Sequence, residues 1–393
     1  MNTRGHQLTL LAALVGAAFC TSAAAQTGPI KIGVVTPLSG TYASIGQQVK
    51  WGLELATKEV NAAGGIMGRK IELLFEDEEA NPAVATQKAE KLFQSAKVDF
   101  LTGTVNSGST LAVGQVAERN SRLIATTVSF SDAITGDKCS PNVFRVNAKA
   151  GQQSAALAAW LAKEKPGAKV FYLGPDYEMG RSTVAAFKAA AEKAGAKSVG
   201  EVFPPLDSKD YSPFFGQLRA ARPDVVYTSV AGNDTVRLLT QMSEYGVLKG
   251  MTLVSASGTV TSQNVKAIGA AAEGLVTGVG YSIDLDTPEN KKFVAAFNAA
   301  NKAAPDLYGA DSYGVIYFYK AAVEKAKSTD TDKLRAAMRG LEWMTPQGKK
   351  QMRAGDHQAM QEMYALRMTG GQFKPISKVP ADQAIGPDTC TRF

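Results

Sequence analysis

The sequence predicts an α/β protein built from two doubly wound, Rossmann-like lobes. Three observations carry this prediction. Strand and helix patterns alternate along the chain, the alternation restarts near residue 150, and the length suits two domains better than one. Alternation of this kind implies parallel sheets with helices on both faces.

The first beat opens with Ile30-Lys31-Ile32-Gly33-Val34-Val35, a short buried-strand pattern, followed by the turn residues Pro37, Ser39 and Gly40. Over residues 46–63 the apolar positions Val49, Leu53, Ala56 and Val60 recur at helical spacing, and Gly64-Gly65 stops that helix. Strands are then predicted at 70–75, 99–103 and 122–126, with helices at 84–96 and 109–120 between them. The second beat places helices at 152–163, 182–195, 213–221 and 235–246. Its strands fall at 169–173, 198–203, 224–229 and 251–255. Two further helices, 288–303 and 312–327, need a lobe to pack against, and either could take them. No repeat of solenoid length appears.

The N-terminus reads as an export signal. Arg4 supplies a positive start, residues 8–19 are apolar, and Ala23-Ala24-Ala25 forms an A-x-A cleavage site before Gln26. The apolar run is too short to span a bilayer, and nothing downstream reaches that length. Cys20 could suggest a lipid anchor, but Phe19 is too bulky for the small residue such processing needs. Residues 1–25 are therefore expected to be a leader cleaved after Ala25, and the mature protein is expected in the periplasm.

Formal charge is +7, and loss of Arg4 with the leader removes one positive charge. Basic residues are interspersed with acids, as in Lys163-Glu164-Lys165 and Glu289-Asn290-Lys291-Lys292. A nucleic-acid surface would concentrate them on one face, so no nucleic-acid partner is expected. Only Cys139 and Cys390 survive processing, and two cysteines in an oxidising compartment usually pair. Such a bond would tie the C-terminal tail to the first half of the chain, although spacing alone cannot bring the two α carbons within reach. A metal site would need ligands beyond two thiols, and His357 is the one mature histidine. No metal is expected.

Enzymatic readings lack material. His357 lies in the polar stretch 353–358 and reads as an exposed loop residue, so no Ser-His-Asp arrangement can be assembled. Thr36-Pro37-Leu38-Ser39-Gly40 after the first strand lacks the G-x-G-x-x-G that admits a pyrophosphate. Residues 174–182 superficially resemble a phosphate loop, but five residues separate the glycines and Arg181 stands where lysine is needed. Asp77-Glu78-Glu79 lacks the spaced oxygen ligands of a calcium loop and reads as a solvated turn. No catalytic residue and no cofactor are expected.

Ligands of open parallel sheets bind beyond the carboxyl ends of the strands. Residues 104–110 (Thr-Val-Asn-Ser-Gly-Ser-Thr) occupy that place, and their hydroxyls, backbone N–H groups and helix dipole suit a carboxylate. The same pattern also fits simple N-capping by Ser107 or Ser109, and one residue can do both. Residues 126–131 (Thr-Thr-Val-Ser-Phe-Ser) end the next strand similarly and add an aromatic wall. Pro175-Asp176-Tyr177 and Ala231-Gly232-Asn233-Asp234 hold the equivalent places in the second lobe. Two such rims facing each other would make a cleft.

At this point the chain resembles the type I solute-binding proteins of ABC transporters, in the leucine/isoleucine/valine-binding branch. The resemblance rests on Thr36-Pro-Leu-Ser-Gly40, Val60-Asn-Ala-Ala-Gly-Gly-Ile-Met-Gly-Arg-Lys-Ile71, Ala272-Glu273-Gly274-Leu275 and Pro305-Asp306-Leu307-Tyr308-Gly309-Ala310-Asp311-Ser312-Tyr313. It implies the periplasmic binding protein type I fold, with three crossover strands near Asn147, Val279 and Met363. Lobe 1 would then be 27–147 plus 280–362, and lobe 2 would be 148–279 plus 363–393. It also implies a monomer that closes on a small-molecule ligand and presents it to permease subunits. A sensing receptor docking to a signalling partner would keep the same clam-shell.

Matching binding positions are Ile45, Ser107, Val128, Ser129, Phe130, Tyr177, Met179, Gly232, Ser257 and Tyr308. One departs from the family pattern. Amino-acid binders carry a glutamate for the ligand's ammonium at the place of Ser257, and Ser255-Ala256-Ser257-Gly258 carries no acid. A buried ammonium without an anionic partner is costly. Either Asp176, Glu178 or Asp234 substitutes, or the ligand is an amine-free acid.

Overall fold

The computed structural model describes residues 28–393, so the leader, its cleavage site and Cys20 lie outside the described residues. In chain order the first run comprises β1 (Ile30–Thr36), α1 (Ala43–Ala62), β2 (Ile71–Asp77), α2 (Pro82–Gln94), β3 (Phe100–Thr102), α3 (Ser107–Arg119), β4 (Leu123–Thr126) and β5 (Val143–Arg145). These strands form one parallel sheet of order β2-β1-β3-β4-β5. The order reverses between β1 and β3, leaving a crevice at their carboxyl ends.

The chain then crosses to a second sheet. α4 (Ala150–Glu164) leads into β6 (Lys169–Leu173), α5 (Glu178–Lys193), β7 (Lys197–Val202), α6 (Ser212–Ala221), β8 (Val225–Thr228), α7 (Asn233–Glu244), β9 (Thr252–Ser255), α8 (Val265–Ile268) and β10 (Val276–Val279). After β10 it returns to the first lobe through α9 (Pro288–Asn301), α10 (Leu307–Ala326) and α11 (Thr331–Met338). A small antiparallel sheet follows, of β11 (Glu342–Thr345), β12 (Gly348–Met352) and β13 (Ala359–Met360). The last crossing delivers β14 (Met363–Thr369), β15 (Gln372–Val379) and α12 (Ala381–Ala384). β14 pairs antiparallel with β10 and β15 with β14, completing a seven-stranded sheet.

Helix starts follow from local chemistry. Asn81 caps α2 by accepting from the N–H groups of Ala83 and Val84, with Pro82 in the first turn. Asp306 caps α10 in the same way, accepting from Tyr308 and Gly309. The two helices the sequence left unassigned pack on the first lobe. α10 lies along α1, α11 and β11 with most of its circumference buried. A helix enclosed on several sides has no polar face, which is why its apolar residues show little periodicity.

Two sequence expectations are corrected. His357 is not an exposed loop residue: it is fully buried, stacked on Phe144 at 4.0 Å and beside Phe393 at 4.3 Å. Burial holds its pKa down at about 4, against a hydrogen bond from Nδ1 to the Val143 carbonyl. Asp77-Glu78-Glu79 is not a solvated turn either, because Glu78 is buried beneath the first sheet's rim.

Cys139 and Cys390 are disulfide-bonded with a Cα–Cα distance of 5.7 Å. The tail beyond α12, assigned from sequence to the second lobe, ends against the first. Arg392 donates to the Cys139 carbonyl and pairs with Glu118 at 3.0 Å. Closing a loop across a separation of 251 residues contributes about 5 kcal/mol on the chain-entropy account. Cys390→Ser is expected to lower Tm by roughly 5–10 °C without loss of secondary structure. Superimposable melts of the variant and wild type without reductant would contradict this.

Candidate ligand-binding cleft

The cleft is built on the first lobe around one loop. Asn106 is the N-cap of α3, its side chain accepting from Gly108 N–H at 2.8 Å and Ser109 N–H at 3.3 Å. Thr110 N–H bonds back to the Asn106 carbonyl. Neither Ser107 nor Ser109 is the cap, which settles one alternative left open by the sequence. Ser107 is fully buried, and its hydroxyl oxygen accepts from Ser131 N–H at 3.2 Å. The Ser107 N–H and O–H protons are both left without a protein acceptor among the described residues.

The neighbouring segment is held from behind. Arg145 is fully buried and donates from Nη1 to the carbonyls of Ser131 (2.5 Å) and Ser129 (3.3 Å), and from Nε to Gln358 Oε1 (2.5 Å). Asn147 Nδ2 also donates to the Ser129 carbonyl, at 3.1 Å. In a trans peptide the N–H points opposite to the C=O. Pinning the Ser129 carbonyl inward therefore turns the Phe130 N–H the other way. The N–H groups of Val128 and Phe130 have no protein acceptor among the described residues. Ser129 itself is engaged: its hydroxyl contacts Thr110 and the carbonyls of Thr104 and Val105.

Beneath the loop, Glu78 Oε1 accepts from Val105 N–H at 2.8 Å and Asn106 N–H at 3.3 Å. Burial pushes its pKa up to about 7, opposed by hydrogen bonds from Val105, Ser109 and Asn106.

The walls come from both lobes. Ile45, Val128, Phe130 and Tyr308 of the first lobe join Met179 of the second in one apolar cluster, with Tyr177 packed against it. Phe130 and Tyr308 stack with centroids 6.3 Å apart. The lobes touch at several points. Tyr42 and Tyr177 share a hydroxyl–hydroxyl bond of 2.7 Å, and Ser131 donates to Glu178 at 2.7 Å. Asp132 N–H donates to Ser182 Oγ at 2.9 Å, and Tyr308 OH to the Gly258 carbonyl at 3.4 Å. Gly232, at φ 62°, sits where a Cβ would come 2.3 Å from the Thr41 carbonyl. A side chain there would push the lobes apart. Ser257 precedes Gly258, which meets Tyr308, and its N–H donates to Gln153 Oε1 at 3.0 Å. The sequence-derived positions fall along the contact between the lobes, with Ser129 turned into the scaffold.

The three acids that could have met an ammonium are otherwise engaged. Asp176 pairs with Arg181 at 2.6 Å, and Glu178 binds Ser131 with Lys138 at 3.5 Å. Asp234 is buried, accepts from Asp207 N–H at 2.8 Å and pairs closely with Arg237. Sequence reasoning missed Tyr42 and Arg145, read Glu78 as part of a solvated turn, and named Ser131 only as part of the 126–131 rim. Asn106 was findable, since asparagine ahead of a helix is a strong cap signal. Buried charges such as Glu78 and Arg145 leave no local signature.

Because Glu78 binds its proton more tightly folded than unfolded, it costs stability as pH rises from its ordinary value near 4.5 through about 7. The full effect is ~3 kcal/mol. Glu78→Gln keeps an acceptor for the loop and removes the ionisation. Its stability relative to wild type in urea unfolding is expected to rise between pH 5 and pH 8. A pH-independent difference would contradict this.

Comparison with known proteins follows the same lines. A family model described as periplasmic binding protein matches residues 29–372. A Leu/Ile/Val-binding protein homolog of Brucella melitensis is 30% identical over 324 residues, spanning 82% of this chain and 86% of that protein. A solved solute-binding protein of an ABC transporter from Rhodopseudomonas palustris, in complex with benzoate, superposes with a TM-score of 0.84 at 28% identity. It covers 92% of this chain and 99% of its own. Another, from R. palustris BisB5 in complex with 3,4-dihydroxybenzoic acid, gives a TM-score of 0.83 at 26% identity, covering 90% and 98%. The chain belongs to the periplasmic binding protein family, and is a solute-binding receptor of the ABC-transporter type rather than an enzyme.

Proposed function

We propose that the protein captures an amine-free acid, with aromatic monocarboxylates of the benzoate type preferred over free leucine, isoleucine and valine. After export and cleavage behind Ala25, it would act as a monomer that delivers this acid to the permease subunits of an ABC transporter. The observation that carries the reading is Ser107, buried at a helix start with both its N–H and its O–H unspent. A carboxylate offers two acceptor oxygens to such a pair, and the helix N-terminus favours its charge.

The second-lobe acids are not free to meet an ammonium. Ser257 carries no charge, and Asp176, Glu178 and Asp234 already have partners. Phe130 and Tyr308, with Tyr177 and Met179 opposite, form flat apolar walls suited to an aromatic ring. The solved neighbours described above in complex with benzoate and 3,4-dihydroxybenzoate support this choice of ligand class. Ile45 and Val128 complete the walls, Gly232 and Ser257 form the second-lobe rim, and Ser129 supports the loop.

Capture then follows from geometry. The acid docks through its carboxylate on Ser107 and the Val128 and Phe130 amides, and the second lobe swings over its ring. Contacts such as Tyr42–Tyr177 and Ser131–Glu178 form only when the lobes meet, so the ligand need only tip an existing open–closed balance.

Calorimetric titration with benzoate, hydroxybenzoates, short-chain acids, leucine, isoleucine and valine tests the reading. An aromatic acid is expected to bind most tightly, and Ser107→Ala to weaken it by roughly 1–3 kcal/mol. Ligand-free stability should fall by roughly 1–3 kcal/mol through the Ser131 N–H left without its acceptor, with no loss of a cap because Asn106 does the capping. Tight leucine binding with no response to amine-free acids would overturn it.

A further inference from the structure

A cavity of about 430 Å³ lies between the lobes, and Ser107 does not line it. None of the ten positions assigned to the ligand cleft lines it. Val260 and Met368 contribute from the second lobe, Pro305 and Leu307 from the first, and Val279 and Tyr281 from the crossing segment. Its walls are largely apolar, and no lysine or arginine lines it. Two carboxyl groups do: Asp306, and Asp284 at the rim, 3.9 Å from Lys374.

Two atoms here break the rule that buried polar groups are paired. Asp306 uses Oδ1 to cap α10, while Oδ2 is buried with no partner. The Tyr281 hydroxyl is likewise buried and unpartnered. Asp306 is 7% exposed and Tyr281 5%. Burial pushes the Asp306 carboxyl up to about 7, against the hydrogen bonds from Gly309 and Tyr308 N–H. A cation beside it would offset that burial.

We propose that this cavity is a second small-molecule site, for a primary ammonium on a short apolar body, such as an arylalkylamine. The ammonium would donate to Asp306 Oδ2 and lie within reach of the Tyr281 hydroxyl, while the apolar body packs on Val260, Val279, Leu307 and Met368. Since the walls come from both lobes, the contacts are complete only when the lobes are together. Amine binding and cleft occupancy therefore favour the same closed form and reinforce each other.

The site is independent of which acid fills the cleft, and an acid enters its test only as a competitor. Phenethylamine, with 2-phenylethanol as the uncharged analogue, is titrated by calorimetry into the mature protein. Saturable amine binding is expected, at least tenfold tighter than the alcohol. Asp306→Asn keeps the helix cap and removes the anionic oxygen. It should weaken amine binding at least tenfold while the melting curve confirms folding. Ile283→Trp, a rim substitution that leaves Asp306 untouched, should reduce binding by steric filling. No amine binding, equal binding to the folded Asp306→Asn protein, or equal affinity for the alcohol would each overturn the proposal. Displacement of the amine by benzoate, which would put it in the main cleft, would also overturn it.

Discussion

The binding cleft depends on a buried guanidinium. Arg145 ends β5 where the chain leaves the first sheet, and it has no exposed surface. Taking an arginine out of water is costly unless its donors are met, and here acceptors surround it: the carbonyls of Ser129 and Ser131, the Thr135 hydroxyl and Gln358. Burial lowers its pKa to about 10, with Asp132 and Asp356 acting in the opposite direction. It stays charged, and five donors in a rigid plane fix the carbonyls around it. Because those carbonyls belong to residues 129 and 131, the alternate amides are turned toward the second lobe. Gln358, brought from the far end of the chain, bonds the Asn147 carbonyl as well, so the first and last crossings are locked to each other.

That anchoring explains how a cleft of backbone donors can exist inside a protein. An unpaired buried N–H is ordinarily avoided, and the donors around Ser107 persist because the scaffold behind them is over-determined. Glu78 fixes the amides of Val105 and Asn106, Asn106 fixes those of Gly108 and Ser109, and Arg145 fixes residues 129–131. What remains unspent is what a ligand can use. A receptor needs such a preorganised face on one lobe and a mobile cover on the other, and no group placed to transfer a proton or form a covalent bond.

The cover is chemically different. The second-lobe residues proposed for the site, Tyr177, Met179, Gly232 and Ser257, supply apolar surface and close approach rather than charge. Its acids are consumed locally: Asp234 by Arg237, Asp176 by Arg181. In the proposed reading, charge discrimination resides in the first lobe and shape discrimination in the contact between lobes, where Gly232 and Gly258 allow an approach that any Cβ would prevent.

The alternation of strand and helix patterns, the two beats and the cysteine pair were legible in the sequence, because each is a local or compositional signal. So were the strand ends from which the candidate site is built, since ligands of parallel sheets bind there whatever the loops contain. The short strands β5 and β10–β15 were not legible from periodicity, because neighbours define them, and α10 was read as a helix at 312–327 without the lobe that encloses it. The same holds for His357, whose polar surroundings in sequence gave no sign that Phe144 and Phe393 would enclose it. Ser107 shows the division most clearly: its sequence context fits a cap and a ligand contact equally. Only the folded chain, by giving the cap to Asn106 and the Ser131 amide to the serine oxygen, decides which protons are free. Hydrogen-bond allocation is a property of groups distant in sequence and adjacent in space, so it is fixed by tertiary structure alone.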